Sequence, residues 1–183
     1  MIKMRLRLPE SAVFAHAEQM QHITPASILQ QARLWIGTPF LHAGRTRSVK
    51  NKTGGADCIG LVLGVARELH LCAKDGKALT AYDYQGYGRS GRHLLLQKEM
   101  HQRLCPVSHE EALQSGDILL FRIGKYPQHV GFFVREEKKA LIHAYESLGH
   151  ITEHALSSCW ERRIDKAFRF PALSCICKHD QTT

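Results

Sequence analysis

The stretch Gly54-Gly55-Ala56-Asp57-Cys58-Ile59-Gly60-Leu61-Val62-Leu63-Gly64 constrains this chain more than any other part of it. Ile59, Val62, Leu63, Ala66 and Leu69 recur at the spacing of one helical face, which predicts an amphipathic helix over 58–70. Gly54 and Gly55 permit a sharp turn into that helix. Gly60 and Gly64 lie one turn apart, and each costs about 1 kcal/mol of helix propensity relative to Ala. Glycines kept at that cost predict another backbone packed closely against the helix. The C-terminal half carries the pattern of a sheet, with strands expected at 117–123, 128–135, 139–145, 149–154 and 164–170. The fold class expected is α+β, with N-terminal helices and the Cys58 helix packed on a mainly antiparallel sheet.

At 183 residues the chain is large enough for one domain with a real core. Residues 1–24 read as an extension, with a helix conceivable over Ser11–Gln21, and 172–183 as a tail. Residues 25–37 are predicted to form an amphipathic helix opened by Pro25 in its first turn. A loop, 38–57, leads to Cys58. The polar stretch 73–93 carries Tyr82, Tyr84 and Tyr87 and reads as a long loop bordering a cleft or packed on the surface. A short helix is expected over 94–103 and another near 155–161. Ser108-x-x-Glu111 has the form of a capping box opening a further helix. No repeat and no domain linker is visible.

Cys58 sits where the glycine-rich loop enters the helix, and His129 opens a strand in Gln-His-Val-Gly-Phe-Phe-Val. A thiol of ordinary pKa, roughly 8.5, is mostly protonated at neutral pH, and the partial positive charge of first-turn amides favours its thiolate. A distant histidine supplies a base. The bland alternative is a small buried thiol of no chemical consequence. His143 lies on the next expected strand, across the polar turn Glu136-Glu137-Lys138-Lys139. It is either a partner that orients His129 or a core histidine satisfied by one hydrogen bond. Asp57, just ahead of the thiol, suits a helix cap.

These residues carry a resemblance. Asp57-Cys58-Ile59-Gly60-Leu61-Val62, Gly116-Asp117-Ile118-Leu119-Leu120-Phe121, His129-Val130-Gly131-Phe132-Phe133-Val134 and Leu141-Ile142-His143-Ala144, in that order, resemble the NlpC/P60 family of papain-like cysteine peptidases acting on bacterial cell-wall peptides. The opening Trp35-Ile36-Gly37-Thr38-Pro39-Phe40-Leu41-His42-Ala43-Gly44 fits the same pattern. The ending Arg162-Arg163-Ile164-Asp165-Lys166-Ala167-Phe168-Arg169-Phe170-Pro171 is similar to the phage-encoded branch. The resemblance spans about 25–171, the expected catalytic domain. It implies Cys58 as nucleophile, His129 as general base, His143 as the third, orienting member, and Asp57 as a group that meets the substrate's free amine. It also implies peptidoglycan stem peptides as substrate, cut at a γ-D-glutamyl–diamino acid bond through a thioester acyl-enzyme. Two departures stand out. Phe40 replaces a tyrosine common in the family, with His42 nearby as a substitute donor, and Ile59 replaces a common serine; both positions bear on substrate binding. Those departures keep open a thiol amidase or acyltransferase acting on another substrate. A non-catalytic phage tail-tip or assembly protein is the other alternative.

Composition adds bounds. Lys and Arg total 25 against 17 Asp and Glu, a net charge of +8, and the excess is local. Loop 44–53 holds Arg45, Arg47, Lys50 and Lys52 and no acid. It is either a solvated loop or a face that steers an anionic substrate. Nucleic acid is not the expected partner, because aromatics are not interleaved with the cations. No apolar run approaches 18 residues, so no membrane span is expected, and the basic start lacks the apolar core of a signal peptide. Synthesis in the cytoplasm and delivery to the cell wall by a phage tail or a secretion machine are the expectation. Six cysteines, at 58, 72, 105, 159, 175 and 177, match no secreted framework and are expected as free thiols. Cys175, Cys177 and His179 form one short cluster without the second ligand pair of a structural zinc site. No metal and no cofactor is called for.

Overall fold

The computed structural model describes residues 23–84, 93–108 and 110–174. The possible helix over 11–21, Tyr87 and the Cys175/Cys177/His179 cluster therefore lie outside the described residues.

Helix α1 spans Pro25–Arg33. Thr24 and Ser27 cap it reciprocally: the Ser27 amide donates to the Thr24 hydroxyl at 3.1 Å and the Thr24 amide to the Ser27 hydroxyl at 3.0 Å. The chain then turns, so the helix stops short of the expected residue 37. Two short strands, β1 (Arg45–Thr46) and β2 (Gly55–Ala56), pair antiparallel and close the basic loop on itself. Helix α2 spans Cys58–Glu68, with Cys58 its first residue. After a 3-10 turn at Leu79–Tyr82 come α3 (His93–Arg103) and β3 (Cys105–Pro106). Strands β4 (Ile118–Ile123), β5 (Tyr126–Arg135), β6 (Lys139–Tyr145) and β7 (His150–Ala155) follow as a meander. Helix α4 (Ser158–Glu161), β8 (Ile164–Arg169) and α5 (Pro171–Ser174) complete the order. The main sheet is antiparallel in the order β3-β8-β4-β5-β6-β7. The fold is α+β as expected.

Both faces of this sheet are covered, which explains why β4 reads as a continuous apolar run rather than an alternating one. Ile118, Leu120, Val130, Phe132, Ile142 and Ala144 join α1 and α2 in the main core. Leu119, Phe121, Phe133 and Leu141 point the other way, onto Leu156 and Trp160. The Ser108–Glu111 capping box opens no helix. Residues 110–116 are turns and irregular chain, and Glu111 pairs with Arg169 instead. A cap signal is only half a helix: no apolar face of helical period follows it, so nothing rewards continuation.

The close approach predicted for α2 is present. A Cβ on Gly60 would run into the Gly44 carbonyl, and one on Gly64 into the Trp35 indole. At Gly64 the neighbour is thus a side chain, wedged in place by its Nε1 hydrogen bond to Glu68 at 2.9 Å. Gly64→Ala should therefore destabilise by about 1–3 kcal/mol through overpacking, against the ~1 kcal/mol that a free helix would gain. Equilibrium urea unfolding measures it, and a stabilised variant would show that Trp35 moves aside freely.

Candidate active site

Asp57 sets the entrance to α2. Its backbone is extended, and its Oδ1 accepts from the Gly60 amide at 2.8 Å, the N-cap arrangement. Oδ2 accepts from the Ala43 amide at 2.8 Å, the Arg45 guanidinium donates to Oδ1 at 3.2 Å, and His42 Nδ1 lies 3.8 Å from Oδ2. Arg45 in turn binds Asp83 at 2.9 Å. Arg47 pairs with Glu68 at 3.2 Å. Half of the basic loop is therefore tied into the domain, leaving Lys50 and Lys52 as its exposed cations.

A cavity of about 460 Å3 opens beside Cys58. Phe40, His42, Asp57, Cys58, Ile59 and His129 all line it, so every residue singled out by sequence except His143 meets at one place. Leu63, Leu79, Leu96 and Met100 make much of its lining apolar, with Asp83, Glu99 and Arg103 among them. Backbone amides of Val130, Ile59 and Cys58 itself stabilise the thiolate, as expected at a helix start. Burial and the charge of Asp57 outweigh them and push the thiol up to about 12. First-turn amides favour the thiolate as expected, and desolvation is the larger effect.

The histidines come together through strand register. Phe133 pairs with Leu141 across β5 and β6, so His129, Gly131, Leu141 and His143 share a face. Gly131 stands beside His143, and a Cβ there would strike Leu141, Ile142 and the His143 Cβ. That vacancy lets the two rings close to 2.7 Å between His129 Nε2 and His143 Nδ1. His143 is fully buried, with the Trp160 ring edge-on at 4.8 Å and Tyr145 stacked at 5.1 Å. Burial holds His129 down to about 4. Burial, then repulsion from His129 and His154, holds His143 down to about 2.

These depressed values fix a pH dependence of stability. Between pH about 6.5 and about 4 the unfolded chain binds protons at both positions and the folded chain does not. Stability is thus full above pH 6.5 and falls as the pH drops through that window, at up to ~1.4 kcal/mol per pH unit for each group. Thermal melting from pH 7 to pH 4.5 should show a steep fall that His143→Gln makes shallower. Parallel curves for the two proteins would contradict it.

The family model described as "NlpC/P60 family" matches residues 37–169, most of the chain. The chain belongs to the NlpC/P60 family. Among curated relatives it is 28% identical over 144 residues to a protein of Escherichia coli strain K12 named murein DD-endopeptidase MepS/murein LD-carboxypeptidase. That alignment covers 78% of this chain and 61% of the relative, so the chain spans about three-fifths of the length of the curated relatives it matches. Among solved structures, an NlpC/P60 family protein from Bacillus cereus ATCC 10987 superposes with a TM-score of 0.55 at 16% identity, covering 82% of this chain and 41% of that one. The NlpC/p60 domain of the peptidoglycan hydrolase SagA gives 0.52 at 19% identity, covering 81% of this chain and all of that one. These likenesses show the papain-like NlpC/P60 fold.

Several residues of this NlpC/P60 domain's site escaped the sequence reading. Arg45 and Asp83, which lock Asp57, were read as loop. Tyr145 lines the cavity and Trp160 covers the histidines, whereas Tyr82 and Tyr84, also on the lining, belong to the stretch expected to border a cleft. His154 meets His143 from the far side, Nε2 to Nε2 at 2.9 Å. The alternation His150-Ile151-Thr152-Glu153-His154 was the available signal, since it puts His154 on the face of His143 once β6 and β7 are paired.

Proposed function

We propose that this NlpC/P60 domain is a cysteine peptidase that hydrolyses peptidoglycan stem peptides, at a bond of the γ-D-glutamyl–diamino acid type. The observation that carries the reading is the meeting of Cys58 and His129 on one cavity, with His143 bonded to the imidazole from behind. Relatives named as a murein endopeptidase and a peptidoglycan hydrolase support the substrate class.

The resting pair is a neutral thiol and a neutral imidazole. In the proposed mechanism His129 takes the thiol proton as Cys58 Sγ attacks the scissile carbonyl, so charge appears only along the reaction. The amide of Cys58 donates to the developing oxyanion. Collapse of the tetrahedral intermediate gives a thioester; His129 passes the proton to the leaving amine, then activates water for hydrolysis. His143 keeps the His129 ring oriented. Phe40, His42, Ile59 and Asp57 border the acyl side, with Asp57 facing the substrate amine while it caps α2. The likeness of the block 162–171 to the phage-encoded branch supports action at the wall after delivery with a tail or a secretion machine.

The apolar lining residues Leu63, Leu79, Leu96 and Met100 support a second reading: a thiol amidase or acyltransferase taking an apolar acyl group. Mass spectrometry of purified peptidoglycan fragments and of a panel of fatty amides and esters separates the two. New stem-peptide fragments locate the bond and support the first reading; turnover confined to the fatty panel replaces it with the second.

A further inference from the structure

The histidine pair is one part of a longer chain of hydrogen bonds. His129 Nε2 meets His143 Nδ1 at 2.7 Å, His143 Nε2 meets His154 Nε2 at 2.9 Å, and His154 Nδ1 meets the Ala155 carbonyl oxygen at 2.9 Å. Three strands in succession supply the rings, β5, β6 and β7. The pairs Phe133 with Leu141, and Leu141 with His154, put all three on one face. Trp160 lies against each ring, with centroids 5.7, 4.8 and 6.1 Å away for His129, His143 and His154. These contacts are hydrogen bonds rather than shared metal ligation. Two nitrogens on one tetrahedral zinc, at ~2.0–2.1 Å each, would stand over 3 Å apart.

Proton counting along this chain leaves one arrangement. A carbonyl oxygen only accepts, so the end of the chain demands a proton on His154 Nδ1. Each neutral imidazole has a single N–H. His154 Nε2 is then an acceptor, and His143 must donate to it from Nε2. His143 Nδ1 is left as an acceptor, and His129 must donate to it from Nε2. The lone pair of His129 is thereby placed on Nδ1, the nitrogen not engaged by His143. Three protons fill three hydrogen bonds, and no second assignment of neutral rings satisfies all of them.

We propose that His154, held by the Ala155 carbonyl, is a positioning residue that sets through His143 the tautomer in which His129 keeps Nδ1 unprotonated for the Cys58 thiol. The proposal rests on the reading of His129 as the base. Without an acceptor at 154, the buried His143 Nε2–H loses its partner, and a proton on His143 Nδ1 becomes the better arrangement. That ring then donates to His129 Nε2, and the remaining His129 proton moves to Nδ1, where it blocks the base.

The test pairs a substrate-independent readout with a kinetic one. Long-range proton–nitrogen-15 NMR of the resting protein should find His129 and His143 protonated at Nε2 and His154 at Nδ1. In His154→Leu the His129 proton should shift to Nδ1. In His154→Gln, whose Oε1 reaches the place of the lost acceptor, it should stay at Nε2. Alkylation of Cys58 by iodoacetamide should slow by roughly 10- to 100-fold in the Leu variant and recover to within about threefold in the Gln variant. With stem peptides as substrate the same loss should fall on kcat with KM nearly unchanged. A wild-type His129 protonated at Nδ1, or equal alkylation rates for the Leu and Gln variants, would overturn the proposal. If His154→Leu does not fold, the wild-type tautomers and the Gln variant still decide it. The NMR arm reads the relay even where stem peptides prove to be the wrong substrate.

Discussion

Cys58→Ala is expected to leave a folded protein with no measurable cleavage of peptidoglycan fragments. Removing a nucleophile that acts as a unit with its base costs on the order of 10⁶ in turnover, far below the detection limit of a mass-spectrometric digest. The fold has little stake in the sulfur. Cys58 is the first residue of α2, partly exposed on the cavity wall, and Ala is at least as good a helix former. The melting temperature should therefore stay within a few degrees while activity vanishes. Fragments released equally by wild type and variant would sink the mechanism. Loss of folding along with activity would instead make Cys58 a structural residue. Iodoacetamide should label Cys58 only slowly in resting wild type, because burial and Asp57 hold the thiol neutral at about 12.

The largest effect on stability is expected at Asp117, which is not itself among the cavity's lining residues. This carboxylate is fully buried, and its oxygens accept from Arg169 Nε at 2.8 Å and Nη2 at 3.0 Å. The Gln114 amide also donates to it, at 2.9 Å. The pair ties the turn before β4 to the end of β8. Asp117→Ala leaves the Arg169 guanidinium almost wholly buried with the half-exposed Glu111 as its remaining carboxylate. Such a loss costs about 3–5 kcal/mol, a large share of the ~5–15 kcal/mol that holds a domain together. Urea unfolding measures it. The double variant Asp117→Leu/Arg169→Met should recover most of the loss, because no buried charge then lacks a partner. A loss under about 1 kcal/mol in the single variant would show that solvent reaches Arg169 after all.

The legible parts of this protein were those in which one residue's neighbours along the chain dictate its surroundings. The helix over Cys58–Glu68 and strands β4 to β8 follow from local periodicity, and they lie within a few residues of expectation. The Ser108–Glu111 signal misled because capping groups are short-range, and here tertiary contacts claimed Glu111 for Arg169. The basic loop misled in another way. Its charge was visible, but the carboxylates of Asp57, Glu68 and Asp83 that neutralise Arg45 and Arg47 come from distant segments.

Sequence by itself determined the α+β class, the position of Cys58 at a helix entrance, and the pairing of strands that carry His129 and His143. Each of these follows from 3.6- or 2-residue periodicity and from short turns, which are properties of neighbouring residues. Tertiary structure alone decided the electrostatic state of the site and the extent of its hydrogen-bond chain. The thiol is raised and the imidazoles lowered by burial that only the packed sheet and helices create. His154 joins His143 because the β6–β7 register brings them to one face. Desolvation and cross-strand register depend on which surfaces meet: the local alternation in β7 gives His154 a face, but not the partner strand that brings His143 to it.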